Sequence, residues 1–356
     1  MKMRLNIAAA TLALATSFGT PGIAAEVNWK MTAAIGEGSF FYQNFMERFA
    51  ANVETVTNGR VDVTPFGAGV LAPAFKAFEA VQDGTVEAGH STPSYLVNQD
   101  PTNAIFASFP GGMSGETTLH WIYEGGGEKM LHEFRREEMG LHTMVVGVGT
   151  SEIMAHSNVK IETTDDLKGV KYRTSGAFAA VLKDAFGGVP TVVPGNEIYT
   201  LLQRKGVDAV EWSTPGANLP SGFHEVAPYM IMPGVHQPSF VWEVFVKQET
   251  WDAMPQDLQA LITAAAKLTT YESFTHFGDE DIKAMDEYRK TKVEIVTMVP
   301  AESEKIRVAG RDWAKVQAKA QSDAGNPRMQ KVLDSYLDYQ TSWAANSGYL
   351  VRDAAE

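Results

Sequence analysis

Residues 27–35 (VNWKMTAAI), 42–55 (YQNFMERFAANVET), 61–65 (VDVTP), 73–84 (PAFKAFEAVQDG) and 86–90 (VEAGH) decide the fold. The first, third and fifth stretches have the length and composition of strands. The second places Phe45, Phe49 and Val53 on one helical face, with Asn58-Gly59 just beyond its end, and the fourth turns Phe75, Phe78 and Val81 inward. Strand, helix, strand, helix, strand is the opening of an open α/β sheet.

Farther along, residues 140–154 read as a long strand, and Thr164-Asp165-Asp166-Leu167 supplies helix-start chemistry. A second series follows: a strand at 171–173, a helix at 178–186, a strand at 189–193, a helix at 196–205 and a strand at 207–211. These short elements describe a second, smaller α/β unit. From residue 250 onward the pattern is helical, with periodic stretches at 255–271, 279–290 and 301–320. No Pro/Ser-rich linker separates the halves, so the chain is expected to cross between them more than once. The expected division is a first lobe of 26–149 plus about 238–275 and a second of 150–237 plus about 276–356.

At the other end, Lys2 and Arg4 precede the apolar run 5–18, then Pro21, Gly22 and the pair Ala24-Ala25. This is the pattern of a cleavable export signal, cut after Ala25. The run is short for a bilayer span of roughly 20 residues. The 356-residue chain has no cysteine, which excludes disulfides, thiolate metal sites and a cysteine nucleophile. A net charge of −13 argues against nucleic acid, whose phosphates select basic surfaces. An anion site must therefore be built from one or two local cations.

The catalytic motifs are missing. Gly147-Val148-Gly149 is followed by Thr150-Ser151-Glu152, so a dinucleotide fingerprint fails at its last glycine. Gly112-Met113-Ser114-Gly115 is not a serine elbow, and the His-Glu pairs at 132 and 224 lack the second histidine of a zinc helix. Gly125-Gly126-Gly127 reads as a break between two helices. What remains is Arg173, delivered to the carboxyl end of a strand, where ligands collect in open α/β sheets. Its planar guanidinium grips a carboxylate through two parallel hydrogen bonds.

Residues 56–60 (VTNGR), 78–87 (FEAVQDGTVE), 166–173 (DLKGVKYR) and 207–212 (VDAVEW) resemble the substrate-binding proteins of tripartite ATP-independent periplasmic (TRAP) transporters. Order and spacing match over nearly the whole mature chain. Trp121-Ile122-Tyr123, Glu211-Trp212 and residues 229–234 are similar to the branch for 2-oxo acids and for mannitol or chloroaromatic compounds. The resemblance implies a two-lobed α/β clamshell with a helical C-terminal region, a periplasmic address, TRAP membrane subunits as partners and a small organic acid as ligand, with no organic cofactor and no catalysis. It assigns the ligand carboxylate to Arg173. It also implies a sodium or calcium cation held by the Glu211 side chain and the Trp212 carbonyl, meeting the carboxylate and 2-oxo oxygens of the ligand.

Two departures stand out. The branch has a glutamine where this chain has Glu152, and a glutamate where it has Gln237. Either both line one cation, whose ligand set then keeps its charge, or Glu152 accepts hydrogen bonds from a hydroxy or amino acid. Ser94 and Tyr95 fall where the branch has two ligand-contacting tyrosines, so the pocket is expected to be roomier. Phe178 reads as pocket wall or as packing. Rival readings are a metal-assisted lyase or hydrolase using Glu152 and Glu211 as acid and base, and a sensor module on the same fold. The stripe Ile306, Ala309, Trp313, Val316 and Ala320 suits packing within the chain or a homodimer through the C-terminal helices.

Overall fold

The computed structural model describes residues 25–350; the export signal lies outside the described residues, apart from Ala25 itself. Strands and helices are numbered along the chain, helices shorter than nine residues being left without numbers apart from α2. β1 (Val27–Ala33) is followed by a π-helical turn, Tyr42–Glu47, that runs straight into α1 (Arg48–Thr57). Asn58 ends α1 in the left-handed conformation, and its backbone N–H and that of Gly59 reach back to the Thr55 and Glu54 carbonyls. β2 (Val61–Phe66), α2 (Ala77–Gln82) and β3 (Ala88–Ser91) complete the expected series. α3 (Gly115–Tyr123) and α4 (Gly127–Met139) flank the triple glycine, which is the helix break expected of it.

β4 (Leu141–Gly149) ends five residues earlier than its apolar run, because 150–154 leave the sheet to reach the second one. Gly147 and Gly149 have a packing role: an added Cβ would fall 2.4 Å from the Phe45 ring and 1.8 Å from the Phe240 ring. The second unit contains β5 (Ala155–Ser157), β6 (Lys171–Arg173), α5 (Gly176–Phe186), β7 (Val189–Thr191), β8 (Ala209–Val210) and β9 (Tyr229–Met232). The turn before β6 is capped by Thr163 and Asp166, each side chain bonding the other's backbone. The chain then returns through 233–239 to β10 (Phe240–Lys247), a strand absent from the sequence reading. It is buried on both faces, so its apolar residues run on either side of buried Glu243 without alternation.

The first sheet has the order β2-β1-β3-β10-β4, with β10 antiparallel to both neighbours. The second runs β11-β9-β5-β8-β6-β7, where β11 is Glu294–Thr297. The two helices expected at 255–271 and 279–290 are one, α6 (Gln256–Tyr288). Gly278 inside it costs only about 1 kcal/mol, and packing on both sides of it outweighs that: Leu258, Ile262 and Phe277 enter the first core, Ala284 and Tyr288 join Ile153 and Met230 in the second. α7 (Pro300–Asp323) also spans both, with Ile306 beside β6 residues and Ala314 and Ala318 beside Trp121.

α8 (Arg328–Asn346) packs Met329, Val332, Leu333 and Tyr336 against α3 and α4, on the first lobe and not on the second where the sequence division put it. The loop 324–327 simply reverses the chain onto that face. The buried face of α7 is Ile306, Gly310, Ala314 and Ala318, whereas Val316 is 63% exposed and Ala320 is exposed. The expected stripe is thus split between core and solvent. Among the described residues, no helix is long and apolar enough to cross a membrane.

Candidate functional site

β6 delivers Arg173 to its carboxyl end and buries it to 1% exposure. Nε and Nη2 donate to the Val193 carbonyl at 3.1 and 2.8 Å, and Nη1 donates to the Glu211 carbonyl at 2.8 Å. A guanidinium has five N–H groups, so one remains on each Nη. The Trp212 ring lies under the guanidinium, 5.6 Å from centroid to Cζ, and holds its plane. Gly195 permits this, since a Cβ there would meet the indole at 2.2 Å. Glu211 follows β8. Its backbone N–H donates to the Arg173 carbonyl at 3.0 Å, its Oε1 accepts from the Ser175 N–H at 2.8 Å, and the same oxygen lies 3.3 Å from Arg173 Nη1.

The two inter-sheet segments supply the opposite corner. Glu152 sits on 150–154, with its side chain 8% exposed, and His236 and Gln237 sit on 233–239. The Glu152 N–H donates to the Gln237 carbonyl at 3.2 Å, which ties the segments together. Gln237 Nε2 donates to the Ala107 carbonyl at 2.7 Å, anchoring that side chain to the first lobe. The first lobe closes the cavity with Phe41, Thr92, Ser94, Tyr95, Phe240 and Trp242. Phe41 meets the Trp212 ring edge-on at 5.3 Å across the cleft. The cavity between the lobes is narrow, about 30 Å³.

Burial without full compensation governs the charges. Desolvation pushes the Glu152 carboxyl well above the usual range; nearby Glu211 adds to this and Arg173 opposes it. Desolvation likewise lowers His236 to about 4, keeping its imidazole neutral, and raises the Tyr95 hydroxyl to about 12. Glu152 Oε2 and both ring nitrogens of His236 have no hydrogen-bond partner. One ligand atom each from Glu152, Glu211 and His236 lies within 4.8 Å of the others. Two buried carboxylates this close, one with an orphaned oxygen, fit a cation.

The sequence profile of DctP, the bacterial extracellular solute-binding protein family 7, matches residues 32–320. The chain belongs to that family. It is a TRAP solute-binding protein, and the proteins of this family and fold serve transport, not catalysis, which sets aside the lyase or hydrolase reading of Glu152 and Glu211. A monocarboxylate 2-oxoacid-binding periplasmic protein of Nostoc sp. is 31% identical over 284 residues, 77% of each chain. A TRAP periplasmic solute binding protein of Pseudoalteromonas atlantica, solved with bound sodium and pyruvate, is 27% identical with a TM-score of 0.83, covering 90% of this chain and 95% of that one. Its counterpart from Colwellia psychrerythraea, with bound calcium and pyruvate, is 26% identical with the same TM-score and coverage.

In this solute-binding protein the structure brings Arg173, Glu152, Glu211, Trp212, Tyr95, Ser94 and Gln237 to one cavity. Phe178 is not part of it; it is fully buried in the second core against Tyr172 and His236. Sequence reasoning missed His236, the Ser175 backbone amide and the wall formed by Phe41, Phe240 and Trp242. His236 stands beside Gln237 in the turn after β9, but that position alone does not tie it to Glu152. The aromatic wall carried no separate signal, because such residues read equally as core.

Proposed function

We propose that this solute-binding protein captures a small 2-oxo acid in the periplasm and presents it to TRAP membrane subunits. One observation carries the reading: Arg173 is fixed by three hydrogen bonds to carbonyls and still holds an N–H on each Nη, beside a buried carboxylate pair. A carboxylate takes those two donors in parallel. Relatives that hold pyruvate support the ligand class. Glu152, Glu211, the Trp212 carbonyl and Gln237 are the residues that would hold a cation, whose charge offsets the two glutamates and the incoming acid. Tyr95 and Ser94 face the ligand from the first lobe. Arg173 is 1% exposed and Glu211 4% exposed between the two lobes, so an acid reaches them when the lobes part and is held when they close again, a population shift between open and closed forms.

The test is a thermal-shift screen of the refolded, ligand-stripped protein against 2-oxo, hydroxy and amino acids, with and without added cations. A ligand at 100 times its Kd stabilises by about 2.7 kcal/mol. The 2-oxo acids should raise the melting temperature most, and Arg173→Lys should remove the shift. A larger response to hydroxy or amino acids would reassign Glu152 as a hydrogen-bond acceptor, and silence toward every carboxylate would overturn the reading. The proposal includes a homodimer. Val308 and Val316 stay exposed beside Val181 and Ala185 in an apolar groove of about 730 Å³, a surface that a second copy would cover. Light scattering that returns a monomer removes that part.

A further inference from the structure

His236 is 1% exposed, yet neither ring nitrogen has a partner. Its Nε2 lies 3.5 Å from Glu152 Oε2, which also lacks one. The backbone holds this arrangement. Val235 N–H donates to the Pro233 carbonyl at 2.8 Å, Gln237 N–H donates to that of Gly234 at 3.1 Å, and the Gln237 carbonyl takes the Glu152 amide. The Phe178 ring, 5.1 Å away, packs beside the imidazole. Three separate segments therefore converge: 150–154 bring Glu152, 233–239 bring His236, and the end of β8 brings Glu211. Sodium and calcium are hard cations that take oxygen ligands, whereas a neutral imidazole suits iron, nickel, copper and zinc. Two carboxylates and one imidazole form a mixed set of the second kind, and they leave coordination positions free for an acid bearing adjacent oxygens.

We infer that Glu152, Glu211 and His236 form a divalent transition-metal site, with His236 supplying a nitrogen ligand. The inference rests on the solute-binding reading for the acid that completes the shell, but the metal site itself is tested with metal alone.

Chelator-treated, ligand-stripped protein is titrated with cobalt(II) and followed by visible absorption, and with zinc(II) after labelling histidine with nitrogen-15. The expected result is a d–d spectrum saturating at about one equivalent, a shifted ring nitrogen in one of the eight histidines, and affinity for cobalt or zinc at least about tenfold above calcium. His236→Asn, which offers oxygen in place of nitrogen, should lose the spectrum and favour calcium. If that variant does not fold, the wild-type nitrogen shift and the ranking of ions decide the matter. Calcium or sodium binding more tightly than cobalt, with every histidine ring unmoved, overturns the inference. Pyruvate separates the two readings: a melting shift with pyruvate and calcium but no preference for cobalt removes only the metal site. A cobalt site with no response to any carboxylate removes only the solute assignment.

Discussion

Replacing Glu152 with glutamine keeps the side-chain shape and removes a carboxyl that burial, and then nearby Glu211, make costly to ionise. Carboxylate oxygens of Glu152 and Glu211 lie within 4.8 Å of each other. At an effective dielectric constant near 20, two unit charges at that distance repel by about 3 kcal/mol. Arg173, 3.3 Å from Glu211, offsets part of this. Because the native carboxyl of Glu152 is raised, the folded chain keeps a proton that the unfolded chain has already released. Stability therefore falls as pH climbs from the ordinary carboxylate range through the raised value, and the whole deficit is present above it. In metal-free buffer at about pH 8, Glu152→Gln should be more stable than wild type by about 1–3 kcal/mol, and near pH 4 the two should coincide. Urea unfolding followed by tryptophan fluorescence measures this as a shift in midpoint at constant slope. Added cation should then stabilise wild type more than the variant. A variant less stable than wild type at pH 8 without metal would refute the argument, because it would make the Glu152 carboxylate an acceptor of stabilising hydrogen bonds.

Three further outcomes are expected. Gly195→Ala pushes a methyl into the Trp212 ring that underlies Arg173, so calorimetric affinity for the ligand should fall by about tenfold or more while far-UV circular dichroism stays native. His90, His142, His156 and His236 are lowered to about 3, 3, 3 and 4 by burial. The unfolded chain then binds more protons from about pH 6.5 downward, and stability should drop by about 1.4 kcal/mol per pH unit for each histidine, read from urea melts at pH 7, 6 and 5. Glu243 accepts from Arg135 Nε at 2.9 Å, with both side chains at most 1% exposed; Glu243→Ala strands that guanidinium and should cost about 3–5 kcal/mol by denaturant unfolding.

The opening β-α-β-α-β series was legible because alternation and helical spacing coincide with Asn58-Gly59 as punctuation. Arg173 was legible for a related reason: a charged residue ending a short strand is a local pattern. β10 was not, since its two buried faces erase the alternation that marks a strand. The unity of α6 was hidden by Gly278 and by the change of partner along the helix, which moves the apolar face partway. His236 was out of reach for a different reason. Its proximity to Glu152 is created by a hydrogen bond between segments more than eighty positions apart, and nothing local to either residue announces it.

The chain passes between the two sheets at 150–154 and 233–239, and α6 and α7 each place side chains in cores on both sides. Four crossings braced over one gap leave little freedom to wander or twist, which would restrict the proposed closure to something close to a single swing. A protease that nicks any one crossing would leave three others holding the halves, and the cut protein should still migrate as one particle under native conditions. The halves are held like the pages of a stapled book: removing one staple does not release a page.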